Sequence, residues 1–588
     1  MKISKFAEYL LKLEETSKRL EITEILKKLL EELDPNETRN AINLTLGQLK
    51  APFDSERFNI AEKMMMRIIE NSYETKSEKI KELYKNTGDL GSVAFELSEN
   101  HKIANIELNE VYEKLLEIAK FEGTGSQEKK VSHLSALLTK VDGLSAKFII
   151  RMVLGTTRLG FTALTIVDAL SSLAAGDKSL KKKIEGKYNV HPDIALIAEL
   201  IKKEGIKGIN SIAMEPGVPL LPQKPQRIGS PEEIIEKMGG EVWAEFKFDG
   251  TRVQLHLDRS KKVSSTALDL FNSVSDTTFI KTFTRNLDET THQFPDIIEA
   301  ANKFIKADSV ILDGEAIGFD KNTGEFLNFQ ETIQRKRKHD IKYIAKQIPL
   351  KYLVFDILYL NGKSLLDTPL VQRRARINEI IKENEIIEID KHLTTDDPKK
   401  LGNFFNEAKE KSLEGLVVKN PNTGYQAGAR SFAWVKLKRL EESNLDDTID
   451  CVVLGYYNGK GARADFGIGG FLVGVYDKKN EIFKTVSKIG TGLKDEDWVY
   501  LKKECDKIKI SNAPANVEFP KELEPDVWTS PKIVVVIRAD EISKSSQHTA
   551  EYALRFPRLM EFRKDKAPED VTTVEEIKSL YKIQTEKK

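Results

Sequence analysis

Apolar residues recur at three- and four-residue spacing through the first 210 residues or so, as in the stretches 6–13 and 108–116. This period places them along one face of a helix, so the pattern predicts amphipathic helices that pack together. Only Pro35, Pro52 and Pro192 interrupt the region, and proline is unfavourable inside helices. We therefore predict an all-helical domain over residues 1–215.

A cluster of prolines then breaks the pattern, with five of them between residues 216 and 231. Such a cluster predicts a domain junction near 211–231. Beyond it, short β-branched stretches such as 309–315, 352–360 and 415–419 alternate with charged helical segments. This alternation predicts an α+β domain with mostly antiparallel sheets over residues 219–440.

The last part of the chain is rich in strand patterns, at 450–457, 470–476, 482–486 and 532–537. A small barrel of about five strands is the simplest arrangement for them, and the OB-fold is the candidate for residues 445–588. We expect a flexible junction near 440–446 before this domain. A capped helix is expected over 572–581.

Composition restricts the class of protein without identifying it. The 588 residues are 40% hydrophobic and 31% charged, as in ordinary globular proteins. Lys+Arg and Asp+Glu are equal at 92 each, so any basic surface for nucleic acid must be local. Two cysteines are too few for a disulfide scaffold or a four-cysteine zinc site. Without a signal sequence or an apolar run of ~18 residues, we expect a cytoplasmic protein with no membrane partner.

The stretch 245–253, Glu-Phe-Lys-Phe-Asp-Gly-Thr-Arg-Val, has the pattern of a strand, a tight turn at Asp249–Gly250 and a second strand. Lys247 then lies at a strand end among charged neighbours. A lysine in such surroundings is a candidate nucleophile if its amine is kept partly neutral. The alternative is a solvated lysine, because exposed lysines are the rule.

A lysine that attacks the α-phosphate of a nucleotide needs further groups around it. It needs carboxylates for Mg²⁺, cations for the phosphates and an aromatic face for the base. The central domain offers candidates at strand ends or on one strand face: Glu315, Glu414, Phe355, Lys436 and Lys438. Each also has a simpler explanation, as a turn residue, a core aromatic or a solvated lysine.

In combination and order, these residues resemble the covalent lysyl nucleotidyltransferases, which comprise ATP-dependent DNA ligases, RNA ligases and mRNA capping enzymes. The family motif Lys-x-Asp-Gly-x-Arg is matched by Lys247, Asp249, Gly250 and Arg252. Further segments resemble the larger DNA ligases of the archaeal and eukaryotic replicative type: 123–127, 154–160, 283–297, 328–338, 430–438, 489–492, 554–558 and 563–566. The resemblance covers nearly the whole chain.

The resemblance implies roles for individual residues. Lys247 would form the phosphoramide with AMP, Glu245 would recognise the adenine, and Phe355 would stack on it. Ribose and phosphate contacts are implied for Arg252, Arg285 and Glu315. The metal ion, Mg²⁺ with Mn²⁺ as the alternative, is assigned to Glu315 and Glu414. Triphosphate binding falls to Arg430, Lys436 and Lys438, and pyrophosphate release to Arg563 and Lys566.

Candidate DNA contacts come from two sources. Glycine-punctuated turns around residues 123–130 and 151–160 offer backbone N–H groups and the cations Arg151 and Arg158, which suit phosphates. The alternative for these turns is a pair of helix caps with surface arginines. Arg335 and Arg337, in the family-like segment 328–338, complete the predicted set.

Two departures from the family pattern stand out. Arg285 follows Arg252 by 33 residues (285 − 252), farther than in the family, and the polar segment 260–277 is predicted to be an inserted surface loop. Where the family often has Val-Glu-Val, this chain has Val535-Val536-Ile537. The function of that glutamate is therefore either absent or supplied by another residue.

The expected protein is an ATP-dependent DNA ligase that seals 5′-phosphate/3′-hydroxyl nicks in duplex DNA through a lysyl-AMP intermediate, in replication, repair and recombination. We expect a monomer, with a sliding clamp as a candidate partner. An RNA ligase or capping guanylyltransferase is disfavoured by the helical domain, and an NAD⁺-dependent ligase by the two cysteines. A non-catalytic DNA-binding scaffold is the rival from another class.

Overall fold

A computed structural model describes most of the chain. The described residues are 1–16, 18–54, 56–87, 89–98, 105–262, 278–320, 324–327, 332, 335, 345, 347–411, 413–438, 448–459, 466–539 and 541–586. The predicted loop 260–277 lies outside this set except for residues 260–262, and the predicted junction 440–446 lies wholly outside it.

The first part of the chain is helical, as predicted. Apolar residues at helical spacing, such as Phe6, Leu10 and Leu13, are fully buried in one continuous core. The helices are Ile3–Glu14, Arg19–Glu32, Pro35–Thr45, Glu62–Tyr73, Ser77–Thr87, Leu90–Leu97, Leu108–Ala119, Ser126–Leu138, Gly143–Val153, Ala163–Ala175, Lys181–Val190 and Ile194–Glu204, followed by the 3₁₀ helix Gly205–Ser211.

Side-chain caps fix where several of these helices begin. Asp34 forms a capping box with Glu37, and Pro35 occupies the first turn, where its missing N–H is not needed. Asp89 accepts hydrogen bonds from the backbone N–H groups of Gly91 and Ser92. The caps satisfy donors that have no partner within the helix.

The proline-rich junction packs against the central part, with a turn at residues 216–218 and with Leu220 and Gln223 fully buried. Gly217 N donates to His256 Nδ1 at 3.1 Å, and the Gln254 side chain pairs with the backbone of Leu220 on both sides. The junction is thereby attached to a central strand. Burial lowers the pKa of His256 to about 3, so its ring stays neutral and keeps accepting this bond at ordinary pH.

Two sheets form the central part. The strands are β1 Lys224–Arg227, β2 Val242–Lys247, β3 Thr251–Lys262, β4 Thr278–Thr284, β5 Ser309–Gly318, β6 Leu350–Leu360, β7 Lys363–Ser364, β8 Ile387–Ile389, β9 His392–Thr395, β10 Gly415–Lys419 and β11 Arg430–Lys438. One sheet has the order β1-β11-β10-β2-β9, and the other has the order β4-β3-β5-β6-β7 with β8 beside β6. All pairs are antiparallel except β1–β11 and β6–β8.

Each sheet packs on its own helices and core. The helices are Pro231–Met238, Pro295–Phe304, Leu370–Ile380 and Pro398–Glu410, with the 3₁₀ helix Thr291–Gln293. The turn at Asp249–Gly250 lies where the sequence predicts it, between β2 and β3. These strands do not pair with each other, because β2 belongs to the first sheet and β3 to the second. The turn therefore carries the chain from one sheet to the other.

The C-terminal part is built on a larger sheet than the five strands predicted. Its strands are β12 Thr448–Tyr457, β13 Gly470–Asp477, β14 Ile482–Ile489, β15 Lys509–Ile510, β16 Val517–Glu518, β17 Val527–Thr529, β18 Val534–Arg538, β19 Glu541–Lys544, β20 Tyr552–Arg555 and β21 Arg558–Phe562. The order is β15-β17-β12-β13-β14-β16, with β18 joining β12 to β21, and β19–β20 form a separate pair.

Helices Asp495–Lys507 and Val574–Glu586, with the 3₁₀ turns Lys521–Leu523 and Pro568–Asp570, complete this part. The last helix begins two residues later than the predicted 572, and the Thr573 hydroxyl accepts a hydrogen bond from Glu576 N in its first turn. Within the described ranges, none of the helices has the length and apolar character needed to cross a membrane.

Candidate active site

A cavity of about 300 Å³ lies between the two central sheets and residues 563–566 of the C-terminal part. Its walls contain side chains from β2, β10 and β11 on one side and from β3, β5 and β6 on the other. Every residue predicted to bind the nucleotide or the metal lines this cavity: Glu245, Lys247, Arg252, Arg285, Glu315, Phe355, Glu414, Arg430, Lys436, Lys438, Arg563 and Lys566. The sequence prediction of one shared site is consistent with this geometry.

Strand register explains how the first wall is assembled. Gly415 of β10 lies opposite Lys247 of β2 and Lys438 of β11. Two residues along β10, Val417 lies opposite Glu245 and Lys436. Residues directly opposite each other in antiparallel strands project from the same face, so these charged side chains all face the cavity. A Cβ at position 415 would collide with the Leu437 carbonyl oxygen, which makes glycine necessary there.

The Lys247 ammonium group is bound to the carboxylate of Glu414. Lys438 Nζ lies 2.6 Å from the other oxygen of the same carboxylate. Although burial acts in the opposite direction, these two lysines hold the pKa of Glu414 well below its usual range. The side chain of Lys247 is 23% exposed, so its amine remains accessible from the cavity.

Glu315 faces this group from β5. Arg252 and Glu315 are register partners across β3 and β5, and Gly250 permits a close approach because a Cβ there would lie 3.0 Å from Glu315 Cγ. Burial raises the pKa of Glu315 to about 8, against the opposing charges of Lys247 and Arg252. The two carboxylates predicted to bind metal thus face one cavity.

Arg252 is held firmly by protein groups. Its guanidinium donates to both oxygens of Asp313, at 3.0 and 2.6 Å, and to the carbonyl oxygen of Gln223 at 2.6 Å. The Tyr425 hydroxyl donates to Asp313 at 2.9 Å and accepts from Arg252 at 3.1 Å. Arg252 also lies over the ring of Phe355, 5.4 Å from its centroid. It forms part of the wall and fixes the ring next to it.

The end of the cavity around Glu245 combines charge with aromatic faces. Lys419 Nζ is 2.5 Å from Glu245 Oε2 and lies over the rings of Phe355 and Trp434, at 4.6 and 4.3 Å from their centroids. Both members of the ion pair are almost fully buried. A flat heterocycle with polar edges matches this environment better than a chain of phosphates does.

The opposite end is lined by cations that are paired with carboxylates of the C-terminal part. Arg285 Nη2 is 3.1 Å from Asp570 Oδ2, and Lys224 binds the other oxygen of Asp570. Arg430 Nη1 donates to Glu576 Oε2 at 3.1 Å. These anions occupy a surface on which the phosphates of a nucleotide could be bound.

The lysines of this end are strongly affected by their surroundings. Burial lowers the pKa of Lys436 well below its usual range, despite the nearby charge of Glu576. Burial also lowers the pKa of Lys566, which is paired with Asp450. Arg563 is held by Asp565, with two contacts of 2.9 Å. An anion that binds next to such buried lysines stabilises their charged form.

Asp450 also lies next to Val536, the position at which the family often has glutamate. Asp450 of β12 is the register partner of Val536 of β18, and its carboxylate binds Lys566. An acidic group is thus present next to the position where the family often has glutamate. The sequence motif lacks this carboxylate, and the neighbouring strand supplies one.

The predicted DNA contacts need correction. Arg151 is 3% exposed because its guanidinium binds Asp89 at 2.6 Å and Glu14 at 3.0 Å. Arg158 is 9% exposed and faces the same Asp89. Arg335 is 1% exposed and paired with Asp296 at 2.7 Å. These three arginines hold the protein together and are not available to DNA phosphates in this arrangement, and Arg337 lies outside the described residues.

Sequence reasoning also missed several residues of the site: Lys224, Asp313, Asp390, Lys419, Tyr425 and Asp570. Lys419 ends a stretch predicted to be a buried strand, and a lysine there was a usable signal. Lys224 lies in the proline-rich stretch, whose composition indicates only a domain junction. For Asp570, 323 residues after Lys247 (570 − 247), no local signal exists.

Comparisons with known proteins agree along the whole chain. Residues 2–171 match the family described as DNA ligase N terminus, 272–438 the ATP dependent DNA ligase domain, and 464–566 the ATP dependent DNA ligase C terminal region. The chain is 40% identical over 596 residues to the probable DNA ligase of Dictyoglomus turgidum, with 100% of this chain and 99% of that protein covered. It is 34% identical to the DNA ligases of Pyrobaculum islandicum and Sulfolobus acidocaldarius, each covered to 99%. The chain belongs to the ATP-dependent DNA ligases.

Proposed function

We propose that this ligase seals 5′-phosphate/3′-hydroxyl nicks in duplex DNA, with Lys247 as the residue that carries AMP. The observation that supports this best is the arrangement of side chains from the two central sheets around one cavity. Glu245 and the rings of Phe355 and Trp434 form an end suited to a base. Lys247, Lys436 and Lys438 lie on the same face of the first sheet as Glu245. A nucleotide bound with its base at the first end would present its phosphates to the lysines.

The chemistry has three steps. The neutral amine of Lys247 attacks the α-phosphorus, a nitrogen–phosphorus bond forms, the amine loses a proton, and pyrophosphate leaves. A 5′-phosphate oxygen of the nick then attacks the same phosphorus and releases Lys247. Finally the 3′-hydroxyl attacks the 5′-phosphate, loses its proton and displaces AMP. Charge develops on phosphate oxygens in each step, so fixed cations next to them stabilise the transition states.

A divalent ion, Mg²⁺ or alternatively Mn²⁺, fits Glu315 and Glu414. Mg²⁺ is commonly bound by one or two carboxylates and completed by substrate phosphates and water, and these two carboxylates face one cavity. In the described part of the chain, no cluster of three or more His, Cys, Asp or Glu side chains is arranged to hold a metal alone. When bound, the ion would supply Lewis-acid polarisation of the phosphate.

We also propose a division of labour among three domains: residues 1–215 bind DNA, 219–440 carry out adenylylation, and 445–588 form an OB-fold that closes over the nucleotide. The antiparallel order β17-β12-β13-β14, with β18 beside β12, supports the OB-fold assignment. Other surface groups than Arg151, Arg158 and Arg335 would then contact DNA. A cytoplasmic monomer with a sliding clamp as a candidate partner remains a prediction.

Incubation with α-labelled ATP followed by nicked duplex tests the proposal. The protein should acquire acid-labile label, lose it on addition of a nick, and convert the nick to a continuous strand. Label from GTP in preference to ATP, or transfer to RNA ends alone, would instead support a capping enzyme or an RNA ligase. Binding of nicked DNA without any label would support the non-catalytic scaffold.

A further inference from the structure

Asp390 is a buried acid in the nucleotide cavity that the ligase chemistry leaves without a role. It lies between β8 and β9, and its backbone is fixed: its N–H donates to the Val354 carbonyl at 2.9 Å, and its own carbonyl accepts from Arg374. The residue is 5% exposed and lines the end of the cavity that contains Glu245 and Phe355. Its carboxyl group therefore has a defined position next to the proposed base site.

The charges around Asp390 are Glu245, Glu315, Arg374 and Lys419. Lys419 is committed to Glu245 at 2.5 Å. Arg374 donates to the carbonyl oxygens of Val354, at 3.3 Å, and Asp390. Neither cation pairs with the Asp390 carboxyl, and among the residues described its oxygens receive no hydrogen bond.

A buried carboxyl group without a cationic partner is more stable in its neutral form. Burial and the adjacent charge of Glu245 raise the pKa of Asp390 well above its usual range, although Arg374 and Lys419 act in the opposite direction. A neutral carboxyl group carries one O–H donor. Asp390 thus offers a hydrogen-bond donor to whatever occupies the cavity.

Glu245 offers the complementary group. Its Oε2 is bound by Lys419, but its Oε1 is buried, has no hydrogen-bond partner, and is 3.7 Å from Arg374. A buried carboxylate oxygen without a partner is costly. This end of the cavity therefore presents one unused acceptor and one unused donor.

The edge of adenine has the matching pattern, because its exocyclic N6 amine donates and its ring N1 accepts. Guanine has the reverse pattern, with O6 as an acceptor and N1–H as a donor. Stacking on Phe355 does not distinguish the two purines, since every base has a π face. Discrimination must come from the polar groups at the edge.

We propose that Asp390 is a specificity-determining residue that donates its carboxyl hydrogen to adenine N1, while Glu245 Oε1 accepts from the N6 amine. The inference rests on the proposed function, because it assumes that ATP binds with its base at this end. It adds a second polar contact to the adenine recognition expected of Glu245 alone. With both contacts, GTP would meet an acceptor facing its O6 and a donor facing its N1–H.

The test compares self-labelling by ATP and by 1-deaza-ATP, in which a C–H group replaces N1. In the unmodified protein, loss of this one hydrogen bond should lower kcat/KM about tenfold. Asp390→Ala should lose about as much with ATP and show no further loss with 1-deaza-ATP. Asp390→Asn keeps a hydrogen-bond donor, so it should still label more efficiently with ATP than with 1-deaza-ATP. If Asp390→Ala does not fold, Asp390→Leu carries the same comparison with a side chain of closer volume.

Two outcomes would overturn the proposal. One is an Asp390→Ala protein that labels with ATP as efficiently as the unmodified chain. The other is an Asp390→Ala or Asp390→Leu protein that still shows the full penalty for 1-deaza-ATP, because N1 would then be recognised by another group. Failure of the proposed function gives a different result, since the unmodified protein would then acquire no label from ATP.

Discussion

At the residue scale, the site depends on pairs of side chains that are distant in sequence. Arg252 belongs to a recognisable motif, but the groups that hold it, Asp313 and Tyr425, lie 61 and 173 positions away. Sequence reasoning identified the motif residues because their spacing is local and specific. It could not identify their partners, since these are determined by which strands become neighbours.

Asp313 is therefore expected to be essential for the stability of the central part. Asp313→Asn would leave the Arg252 guanidinium buried without a counter-charge, which costs about 3–5 kcal/mol. Tyr425→Phe is the matched control, because it removes one hydroxyl but no charge from the same network and should cost about 1–3 kcal/mol. Urea denaturation followed by tryptophan fluorescence, to which Trp243 and Trp434 of the central part contribute, would measure both, and equal losses for the two variants would contradict the account.

The predicted DNA contacts were wrong for the same reason, because the sequence does not show which side chain each arginine pairs with. Arg151 lies near glycine turns and Arg335 in a family-like segment, and each of these buried arginines is paired with an aspartate, Asp89 or Asp296. An arginine at such a place in the sequence looks the same whether it faces solvent or an aspartate. Only the tertiary structure distinguishes the two cases.

At the element scale, patterns predicted the strands but not their neighbours. The alternation in 430–438 correctly placed Lys436 and Lys438 on one face, and the apolar run 415–419 is β10. The order β1-β11-β10-β2-β9 joins segments from opposite ends of the central part. The hydrophobic period of a segment is a local property, so it does not indicate which strands become neighbours in a sheet.

In the N-terminal part, a buried ion pair between an aspartate and an arginine connects helices that are distant in sequence. Asp89 caps helix Leu90–Leu97 and binds Arg151 of helix Gly143–Val153, which also contacts Glu14 at the end of Ile3–Glu14. Although burial acts in the opposite direction, Arg151 and Arg158 hold the pKa of Asp89 well below its usual range. The Arg151 guanidinium thus joins three helices, with Asp89 as its buried counter-charge.

Asp89→Asn should destabilise the helical part by about 3–5 kcal/mol at pH 7, because Arg151 loses its counter-charge. Asp142→Asn is the control. Asp142 caps a helix in the same way, but its carboxylate accepts hydrogen bonds from Ser145 and forms no ion pair with a described residue, and Asn is an equally good cap. The native pKa of Asp89 is depressed, so its contribution is present above the ordinary aspartate value near 4 and is lost as pH falls below it.

The stability difference between the unmodified protein and Asp89→Asn should therefore be constant above about pH 5 and shrink progressively as pH falls below about 4. Circular dichroism at the helix band, followed through urea denaturation at several pH values, would measure it. A difference that is independent of pH would show that the aspartate charge is not the source of the stability. An effect of Asp142→Asn as large as that of Asp89→Asn would attribute it to capping.

At the scale of the whole molecule, the C-terminal part lies closed over the cavity. Lys566 and Arg563 line it, Asn286 donates to the Asp565 carbonyl at 3.3 Å, and Arg430 is paired with Glu576. The N-terminal part also contacts the C-terminal part, with Arg19 at 2.6 Å from Glu481. The sequence predicted three units but could not predict this closed arrangement, which depends on contacts between them.

Closure gives Lys566 a role in one step of the reaction. Its cation lies at the end proposed for the phosphates, and pyrophosphate leaves only during adenylylation. Lys566→Ala should slow ATP-dependent labelling by about 100-fold or more yet still seal a nick that is supplied already adenylylated. Lys578→Ala, an exposed lysine on the terminal helix, is the control and should behave as the unmodified protein. Equal loss on both substrates would indicate a role in DNA binding or folding.

The central claim is that Lys247 is the nucleophile, and labelling with α-labelled ATP followed by peptide mapping tests it most directly. The account predicts AMP on the peptide that contains Lys247, with no label in Lys247→Ala or in Lys247→Arg, whose guanidinium cannot supply a neutral amine. The surface variant Lys237→Ala, which removes a helix ion pair with Glu233, should label normally. AMP on another lysine, or full labelling of either Lys247 variant, would contradict the account.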